Sequence, residues 1–481
     1  MPRRTKIVAT LGPASDSPEI LEQLIRTGVD VVRLNFSHGE AGDHRRRAER
    51  VREAAARVGR DVGVLADLQG PKIRIDRFRD GTVTLAEGAS FCLDAALDPA
   101  AGTGEAVGIA YKHLPDDVRP GDTLLLDDGL IAMQVESVDG PRVHCRVEQG
   151  GTLSNNKGIN RLGGGLSARA LTDKDREDIA TAAGMDVDYV AISFPRNARD
   201  IHDARQLLEE AGSRAGIVAK IERAEAVHAI EEITIASDAV MVARGDLGVE
   251  IGDAELPGVQ KRIIATAREL NRAVITATQM MESMTSQPAP TRAEVLDVAN
   301  AVMDGTDAVM LSAETATGSF PQRAVEAMDR VCLGAERQRA TQRSGHRMDS
   351  HFERIDEAIA MATMYTANHL EARAIIALTE SGSTALWMSR ISSGIPIYAL
   401  TQQEATRRRV TLYRGVYPVA FDLSRSSPAT VVRDAVNRLR SLGSVEEGDL
   451  VVMTKGDLSG VAGGTNSMKI LRVGDEPGNT R

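Results

Sequence analysis

The chain has few of the residues that would mark a nucleic-acid partner. Aromatic residues make up only 3% of it, and its 58 Lys and Arg are outnumbered by 68 Asp and Glu, for a net charge of -10. Nucleic-acid binding domains present a basic face, and single-strand binders add aromatic stacking platforms. We therefore expect no nucleic-acid partner, although the composition leaves room for a local basic pocket.

Cysteine and long apolar runs are also scarce. The three cysteines, Cys92, Cys145 and Cys332, are far apart and odd in number, so they predict buried structural thiols rather than a disulfide framework or a zinc site. No run approaches the roughly 18 apolar residues of a membrane span, and the start, MPRRTKIVATLG, lacks a signal region. These absences predict a cytoplasmic protein without a membrane partner.

The sequence does have the length and alternation of a large α/β protein. At 481 residues the chain exceeds a single core of roughly 100–200 residues. Apolar strand-like runs alternate with helical stretches, three before a break and five after it. These runs are residues 6–12, 30–39, 61–70, 189–195, 216–222, 239–246, 272–280 and 307–314. Eight such units over roughly 250 residues predict a TIM (β/α)8 barrel.

Two further units interrupt or follow the barrel. Between its third and fourth strands, short alternating runs separated by Gly, Asp and Pro predict a small inserted β-barrel. From about residue 345 the pattern becomes that of a compact doubly wound α/β domain. We therefore divide the chain into barrel (1–70 and 168–344), inserted β domain (71–167) and C-terminal α/β domain (345–481).

Polar residues follow almost every predicted barrel strand, at the end where barrel active sites lie. Lys220 and Glu222 end the fifth strand, and Asp246 follows the sixth. Carboxylates with substrate and water are the ligands Mg²⁺ takes, and a lysine beside them suits an anion. A single such residue is more simply explained as an ion pair or a helix cap, but the whole set favours phosphoryl transfer. Because neither G-x-x-x-x-G-K-[ST] nor G-x-G-x-x-G occurs, a nucleotide needs another mode of binding.

Six long motifs occur in order along these strand ends and turns. They are NFSHG, DLQGPKIR, VARGDLGVEI, ITATQMMESM, PTRAEVLDVANAV and LSAETATG. Together they resemble the pyruvate kinase family over essentially the whole chain. The resemblance implies a glycolytic enzyme that transfers phosphoryl from phosphoenolpyruvate to ADP, giving ATP and pyruvate. It also implies Mg²⁺ (or Mn²⁺), a phosphorylated small-molecule effector and a homotetramer.

The resemblance also implies roles for individual residues. The catalytic groups that it implies are Lys220, Arg33, Thr278, Ser312 and Glu314. As substrate-binding groups it implies Arg33, Lys220, Gly245, Asp246 and Thr278. For the nucleotide it implies Asn35, His38, Arg74 and Lys157, and for Mg²⁺ it implies Glu222 and Asp246.

One motif departs from the pattern common in the family. Many relatives have Thr-Lys-Gly-Pro-Glu where this chain has Leu-Gln-Gly-Pro-Lys at residues 68–72. In those relatives the Thr helps bind K⁺, whereas Leu68 has no side-chain oxygen. The ammonium of Lys72 can stand where the cation would, near Asn35, Ser37 and Asp67. We therefore expect dependence on Mg²⁺ but not on K⁺.

A hydroxyl-rich turn in the C-terminal domain resembles the family's effector loop. Its residues Thr379, Ser381, Gly382, Ser383 and Thr384 form a phosphate-binding pattern, although an ordinary helix cap has the same composition. Glu380 lies where relatives that respond to fructose 1,6-bisphosphate often have Lys. We expect its charge to repel a second phosphate, which favours a monophosphate activator.

Two other functions share part of this pattern. A class II pyruvate aldolase would use the same carboxylate pair, but it would not need the inserted lid, Lys157 or the effector domain. A non-catalytic relative that senses phosphometabolites would be favoured by loss of Lys220 or Glu222, and both are present.

Overall fold

Eight parallel strands close into a barrel in the structure, a computed structural model that describes residues 2–338, 341, 351–427, 429–456 and 464–475. The strands are β1 Lys6–Thr10, β2 Val31–Asn35, β3 Gly63–Asp67, β12 Tyr189–Ile192, β13 Gly216–Ile221, β14 Ala239–Ala243, β15 Ala273–Ala277 and β16 Ala308–Leu311. They follow one another around the barrel in chain order, with β16 beside β1. Most of their residues are fully buried, as expected of strands covered on both faces. The predicted TIM barrel is confirmed.

Helices surround this barrel. They are α1 Pro18–Thr27, α2 Ala41–Val58, α4 Asp173–Gly184, α5 Ala198–Glu210, α6 Ala224–His228, α7 Ile230–Ala236, α8 Arg244–Ile251, α9 Leu256–Glu269, α10 Arg292–Asp304, α11 Ala313–Ala316 and α12 Pro321–Ala335. Thr291, with Glu294 three residues on, predicts a capping box at the start of α10, and it is present: the Thr291 hydroxyl accepts from the Glu294 N–H, and the Glu294 carboxylate accepts from the Thr291 N–H. The pattern of residues 224–234 predicts one helix, but residues 224–236 form the two short helices α6 and α7.

The segment between β3 and β12 forms an insert of short strands with its own apolar core. Its elements are β4 Thr82–Leu85, β5 Ser90–Asp94, β6 Ala106–Gly108, α3 Leu114–Asp117, β7 Thr123–Leu126, β8 Ile131–Asp139, β9 Arg142–Gln149, β10 Gly151–Ser154 and β11 Ile159–Arg161. Six strands pair in the order β11-β7-β8-β9-β5-β6, and β10 pairs with β4. The one-turn helix α3 was not predicted.

The C-terminal unit is a five-stranded sheet with helices. Its elements are α13 Ile355–Leu370, β17 Ala374–Leu378, α14 Ser383–Ser389, β18 Ile397–Thr401, α15 Glu404–Val410, β19 Val416–Ala420, α16 Val431–Ser441, β20 Leu450–Gly456 and β21 Thr465–Arg472. The order is β19-β18-β17-β20-β21, parallel except for the last strand.

The C-terminal unit packs against the amino-terminal ends of the barrel strands. Lys6 at the start of β1 donates to the Val416 carbonyl oxygen at 2.5 Å, and the Tyr189 hydroxyl at the start of β12 donates to that of Arg409 at 2.8 Å. Apolar side chains of the barrel interior and of this unit form one buried cluster. The C-terminal unit therefore leaves the carboxyl ends of the strands uncovered, and a site can form at that opposite mouth of the barrel. None of the helices in the described ranges has the length and apolarity needed to cross a bilayer.

Candidate active site

Lys220 lies at the centre of the barrel mouth, on β13. Its Nζ is 2.8 Å from Ser193 Oγ, 2.8 Å from Glu222 Oε1 and 3.3 Å from Asp67 Oδ1. Burial alone would lower the pKa of this ammonium group, but the Asp67 and Glu222 carboxylates raise it above its ordinary value. Lys220 is therefore a fixed positive charge at the mouth.

Asp67 links the two cations predicted for the site. Its Oδ2 is 2.5 Å from Nε of Arg33, whose Nη1 donates to Thr10 Oγ1 at 3.0 Å. Burial would raise the pKa of Asp67, but Lys220 and Arg33 hold it below its ordinary value. Because Asp67 stays ionised between them, two positive charges can lie close together at adjacent parts of the mouth.

Glu222 and Asp246 are the pair predicted to hold a divalent cation. Glu222 Oε2 accepts from the Phe194 N–H at 2.7 Å. Burial raises the pKa of Glu222 to about 7, with the nearby Asp246 carboxylate adding to the effect, and burial also raises the pKa of Asp246. Two carboxylates whose charged forms are disfavoured are suited to a cation, since its charge would offset both effects.

The donor set agrees with this kind of cation site. A site with two protein carboxylates leaves the other coordination positions to substrate and water, which is the usual Mg²⁺ arrangement.

Helix α8 begins at Arg244, directly after β14 ends, so its first backbone N–H groups face the mouth. The Gly245 N–H donates to Thr278 Oγ1 at 2.9 Å, and the Thr278 hydroxyl donates to the Ala277 carbonyl oxygen at 2.7 Å. Thr278 and Gln279 have φ of 64° and 52°, a region that β-branched residues rarely occupy. Backbone strain of about 1–3 kcal/mol per residue is typical of functional sites.

Arg244 holds this strained turn in place. Its Nη1 is 2.7 and 2.6 Å from the two Asp297 carboxylate oxygens, and its Nε donates to the carbonyl oxygens of Ala277 and Thr278 at 3.1 and 3.2 Å. The motif RGD therefore supplies a positioning arginine as well as the first turn of α8. Neither the strain nor this contact was predicted.

Ser312 and Glu314 lie just beyond the end of β16. Glu314 is buried, with Oε2 accepting from the Ser312 N–H at 2.7 Å and Oε1 accepting from the Met281 N–H at 3.1 Å. Burial raises the pKa of Glu314. The carboxyl group therefore ties the turn after β15 to the turn after β16.

A cavity of about 310 Å³ separates the insert from the barrel mouth. Four of the predicted residues, Lys72, Arg74, Lys157 and Asp246, line it. Four lining residues that were not predicted are Asp127, Phe194, Arg223 and Glu250. Arg223 directly follows Glu222, and Glu250 belongs to the motif VARGDLGVEI. Their places in the sequence could therefore have indicated that they line the site. Asp127, in contrast, is brought there only by the fold of the insert, and its Oδ1 is 2.7 Å from Lys157 Nζ.

Comparison with known proteins agrees with this arrangement. Residues 2–325 match the family model "Pyruvate kinase, barrel domain", and residues 357–471 match "Pyruvate kinase, alpha/beta domain". The chain belongs to the pyruvate kinase family. The family predicted from the six motifs is thereby confirmed.

Curated pyruvate kinases resemble the chain over nearly its whole length. Pyruvate kinase II of Salmonella typhimurium is 58% identical, over 98% of this chain and 99% of the relative. The pyruvate kinase of Haemophilus influenzae is 56% identical, over 94% and 96%. That of Buchnera aphidicola subsp. Acyrthosiphon pisum is 55% identical, over 98% and 99%. The chain is thus an enzyme of the pyruvate kinase family.

Two of the residues predicted around a monovalent cation have partners within the chain. Asn35 Oδ1 accepts from the Ser37 N–H at 3.1 Å, and Asp67 is occupied by Lys220 and Arg33. Lys72 is exposed on the cavity wall, and no ion pair within the described ranges includes it. Its contact with the monovalent-cation region therefore stays a prediction, as does the nucleotide role of His38, which is exposed outside the cavity lining.

The predicted effector turn of this pyruvate kinase family member follows β17. The Gly382 N–H donates to Thr379 Oγ1 at 2.9 Å, and Gly382 has the left-handed φ of 84°. Ser381 Oγ and Ser383 Oγ are 2.8 Å apart. The buried Thr384 hydroxyl bonds to that of Thr465 at 2.7 Å. The structure therefore brings the hydroxyls together and pairs one of them with the last strand.

Proposed function

We propose that Lys220 and its neighbours transfer the phosphoryl group of phosphoenolpyruvate to ADP. The observation that carries this is the Lys220 ammonium, kept charged by Asp67 and Glu222 beside the first turn of α8. The bond between phosphorus and the enol oxygen breaks, and a β-phosphate oxygen of ADP forms the new bond. Fixed positive charge around the transferring group is what such a step requires of the protein.

The cation proposed for this reaction is Mg²⁺, which Glu222 and Asp246 would hold. When bound, Mg²⁺ supplies positive charge that stabilises the phosphoryl and enolate oxygens. Arg33, which is paired with Asp67, would bind phosphate oxygens. The backbone amides of Gly245 and Asp246, at a helix N-terminus, would bind the substrate carboxylate, which would replace Thr278 Oγ1 as the acceptor of the Gly245 N–H.

The enolate left after transfer must gain a proton at its terminal carbon to become pyruvate. We propose that Thr278, Ser312 and Glu314 deliver that proton, with water as an intermediate carrier. Burial raises the pKa of Glu314, and its carboxyl group links the turn after β15, which carries Thr278, to Ser312. Thr278 belongs to the strained turn beside α8, close to the proposed substrate position.

For the nucleotide we propose Asn35, His38, Arg74 and Lys157. Arg74 and Lys157 line the cavity between the insert and the mouth, and Lys157 is held by Asp127. We propose that the insert closes over the bound substrates and excludes water, which limits wasteful hydrolysis of the phosphoryl donor.

A substitution at Lys220 tests the proposed function. We expect Lys220→Met to lower kcat by about 10²–10³-fold or more, the range seen when one electrostatic stabiliser is removed. The exposed Lys261→Met, on α9, is the matched control and should stay within about twofold of the parent. Near-parental turnover in Lys220→Met, with the fold intact by circular dichroism, would refute the assignment.

We also propose that the enzyme needs Mg²⁺ but not K⁺, with the Lys72 ammonium replacing the monovalent cation. Rates in Tris or Na⁺ buffer should match those in KCl, whereas Lys72→Glu should gain a K⁺ requirement. A many-fold K⁺ requirement in the parent enzyme would contradict this proposal.

For regulation we propose a monophosphorylated metabolite at the turn formed by residues 379–384. The Glu380 carboxylate, which accepts from Gln403 Nε2 at 3.2 Å, would repel a second phosphate. A sugar monophosphate should lower the half-saturating phosphoenolpyruvate concentration, and a strong response to fructose 1,6-bisphosphate alone would oppose the idea. From the family resemblance we also propose that the protein is a homotetramer and that it is located in the cytoplasm.

A further inference from the structure

A second cavity, of about 380 Å³, lies outside the barrel mouth and is rich in arginine. It is enclosed by the approach to α4 and by the start of α5. Its charged residues are Arg169, Arg176, Arg196, Arg199, Asp200 and Asp203. None of them lines the cavity between the insert and the mouth, and none belongs to the predicted effector turn.

Three of these arginines have no partner for their charge. In the described part of the chain, no ion pair or side-chain hydrogen bond engages the guanidinium groups of Arg169, Arg176 and Arg199. All three are exposed at the cavity. Exposed arginines facing one cavity repel one another, so an anion that enters is attracted by all of them.

The fourth arginine is anchored, and it defines one side of the cavity. Arg196 Nε is 3.5 Å from Asp200 Oδ2, and its Nη1 donates to the Ser167 carbonyl oxygen at 3.1 Å. Asp200 also accepts from the Arg196 N–H at 2.9 Å. Arg196 thus largely neutralises Asp200. The lining has four arginines and two acids, Asp200 and Asp203, so its net charge is +2.

We propose that this cavity binds a small molecule with two phosphate groups. Guanidinium groups form paired hydrogen bonds with phosphate oxygens, and three unpartnered ones beside the anchored Arg196 suit two phosphate groups better than one. A volume of about 380 Å³ is within the usual range for small-molecule sites, about 300–1,000 Å³. Arg196 also contacts Ser167, which follows the insert, so the ligand would lie next to the segment that connects insert and barrel.

Pyrophosphate titrated into the full chain tests the site by isothermal titration calorimetry, in Mg²⁺-free buffer. We expect binding to the parent protein, and at least about tenfold weaker binding to Arg176→Gln/Arg199→Gln. The control Arg45→Gln/Arg262→Gln makes the same change of charge at exposed arginines on α2 and α9, and it should bind as the parent does. Circular dichroism confirms folding, and Arg169→Gln provides an independent variant with the same expected direction.

Three results would overturn the proposal. They are no binding to the parent protein, unchanged binding to both the double variant and Arg169→Gln, and loss of all binding in Lys220→Met. The last result would place the pyrophosphate at the barrel mouth. Binding that survives Lys220→Met but weakens in both arginine variants supports the second site, whatever the fate of the proposed phosphoryl transfer.

Discussion

At the scale of single residues, Thr278 shows how the site is held in a conformation that the backbone would not choose. Its φ of 64° is unfavourable for a β-branched residue, and its hydroxyl joins the Gly245 N–H to the Ala277 carbonyl oxygen. Arg244 and Asp297 hold the turn from the other side. The strain is thus maintained by contacts that fix the hydroxyl beside the first turn of α8.

Substitution of Thr278 separates the hydroxyl from the strain. Thr278→Ala leaves the Gly245 N–H without its partner, and we expect kcat/KM for phosphoenolpyruvate to fall about 10²-fold. Thr278→Ser keeps the oxygen and should stay within about threefold. Equal activity of the two variants would show that the hydroxyl has no role.

Glu250 is a second residue whose environment has a measurable consequence. It is buried, its Oε2 accepts from the Ala224 N–H at 2.9 Å, and burial raises its pKa to about 7 from an ordinary value of 4.5. Between those pH values the unfolded chain ionises first, so the folded state loses stability as the pH rises. The loss of folding free energy from ionising the buried Glu250 is complete above about pH 7 and absent below about pH 4.5.

Glu250→Gln should remove this pH dependence. The amide still accepts from the Ala224 N–H but does not ionise. At pH 8 we expect the variant to have a higher melting temperature than the parent, with a free energy of unfolding larger by at most about 3 kcal/mol. Near pH 4.5 the two melting temperatures should be equal. Thermal melts at both pH values measure the difference, and a constant difference between variant and parent across this range would contradict the assignment.

At the scale of elements, the carboxyl ends of the strands could be predicted and the turns beyond them could not. The apolar runs that end in Lys220, Glu222 and Asp246 predict both the strands and the convergence of their ends, because parallel strands place equivalent ends together. The left-handed backbone of Thr278 and Gln279 depends on tertiary contacts with Arg244, which leave no local pattern. The split between α6 and α7 likewise had no Gly or Pro to signal it.

A buried ion pair joins β16 to the C-terminal unit. Asp307 accepts from Arg390 through both carboxylate oxygens, and it also accepts from the N–H groups of Val274 and Arg414 at 3.0 and 2.9 Å. Both charged side chains are about 1% exposed. Removing one partner of such a pair leaves the other charge buried without compensation.

Asp307→Ala should therefore destabilise the protein by about 3–5 kcal/mol, as for other broken buried pairs. Glu447→Ala removes the partner of Arg440 at an exposed site and is the control, with no measurable change expected. Urea unfolding of both variants gives the comparison. If both variants unfold at the same urea concentration, the ion pair of Asp307 and Arg390 does not stabilise the contact between the barrel and the C-terminal unit.

At the scale of the whole molecule, the chain is a barrel with its site at one mouth, an insert beside that mouth and a sheet at the opposite end. The alternation of strand-like and helical runs predicted the barrel, and the six motifs predicted the family. The cavity that Asp127 shares with Lys157, and the cluster of four arginines, depend on how distant segments meet. Spacing along the chain carries no signal for such juxtapositions.

The central claim is that this mouth transfers a phosphoryl group between two bound substrates. The most direct measurement follows pyruvate and ATP together, from phosphoenolpyruvate with Mg²⁺, with and without ADP. We predict that ATP forms in equal amount with pyruvate, and that neither forms when ADP is omitted. Pyruvate formed without ADP, or no turnover of phosphoenolpyruvate with ADP present, would contradict it.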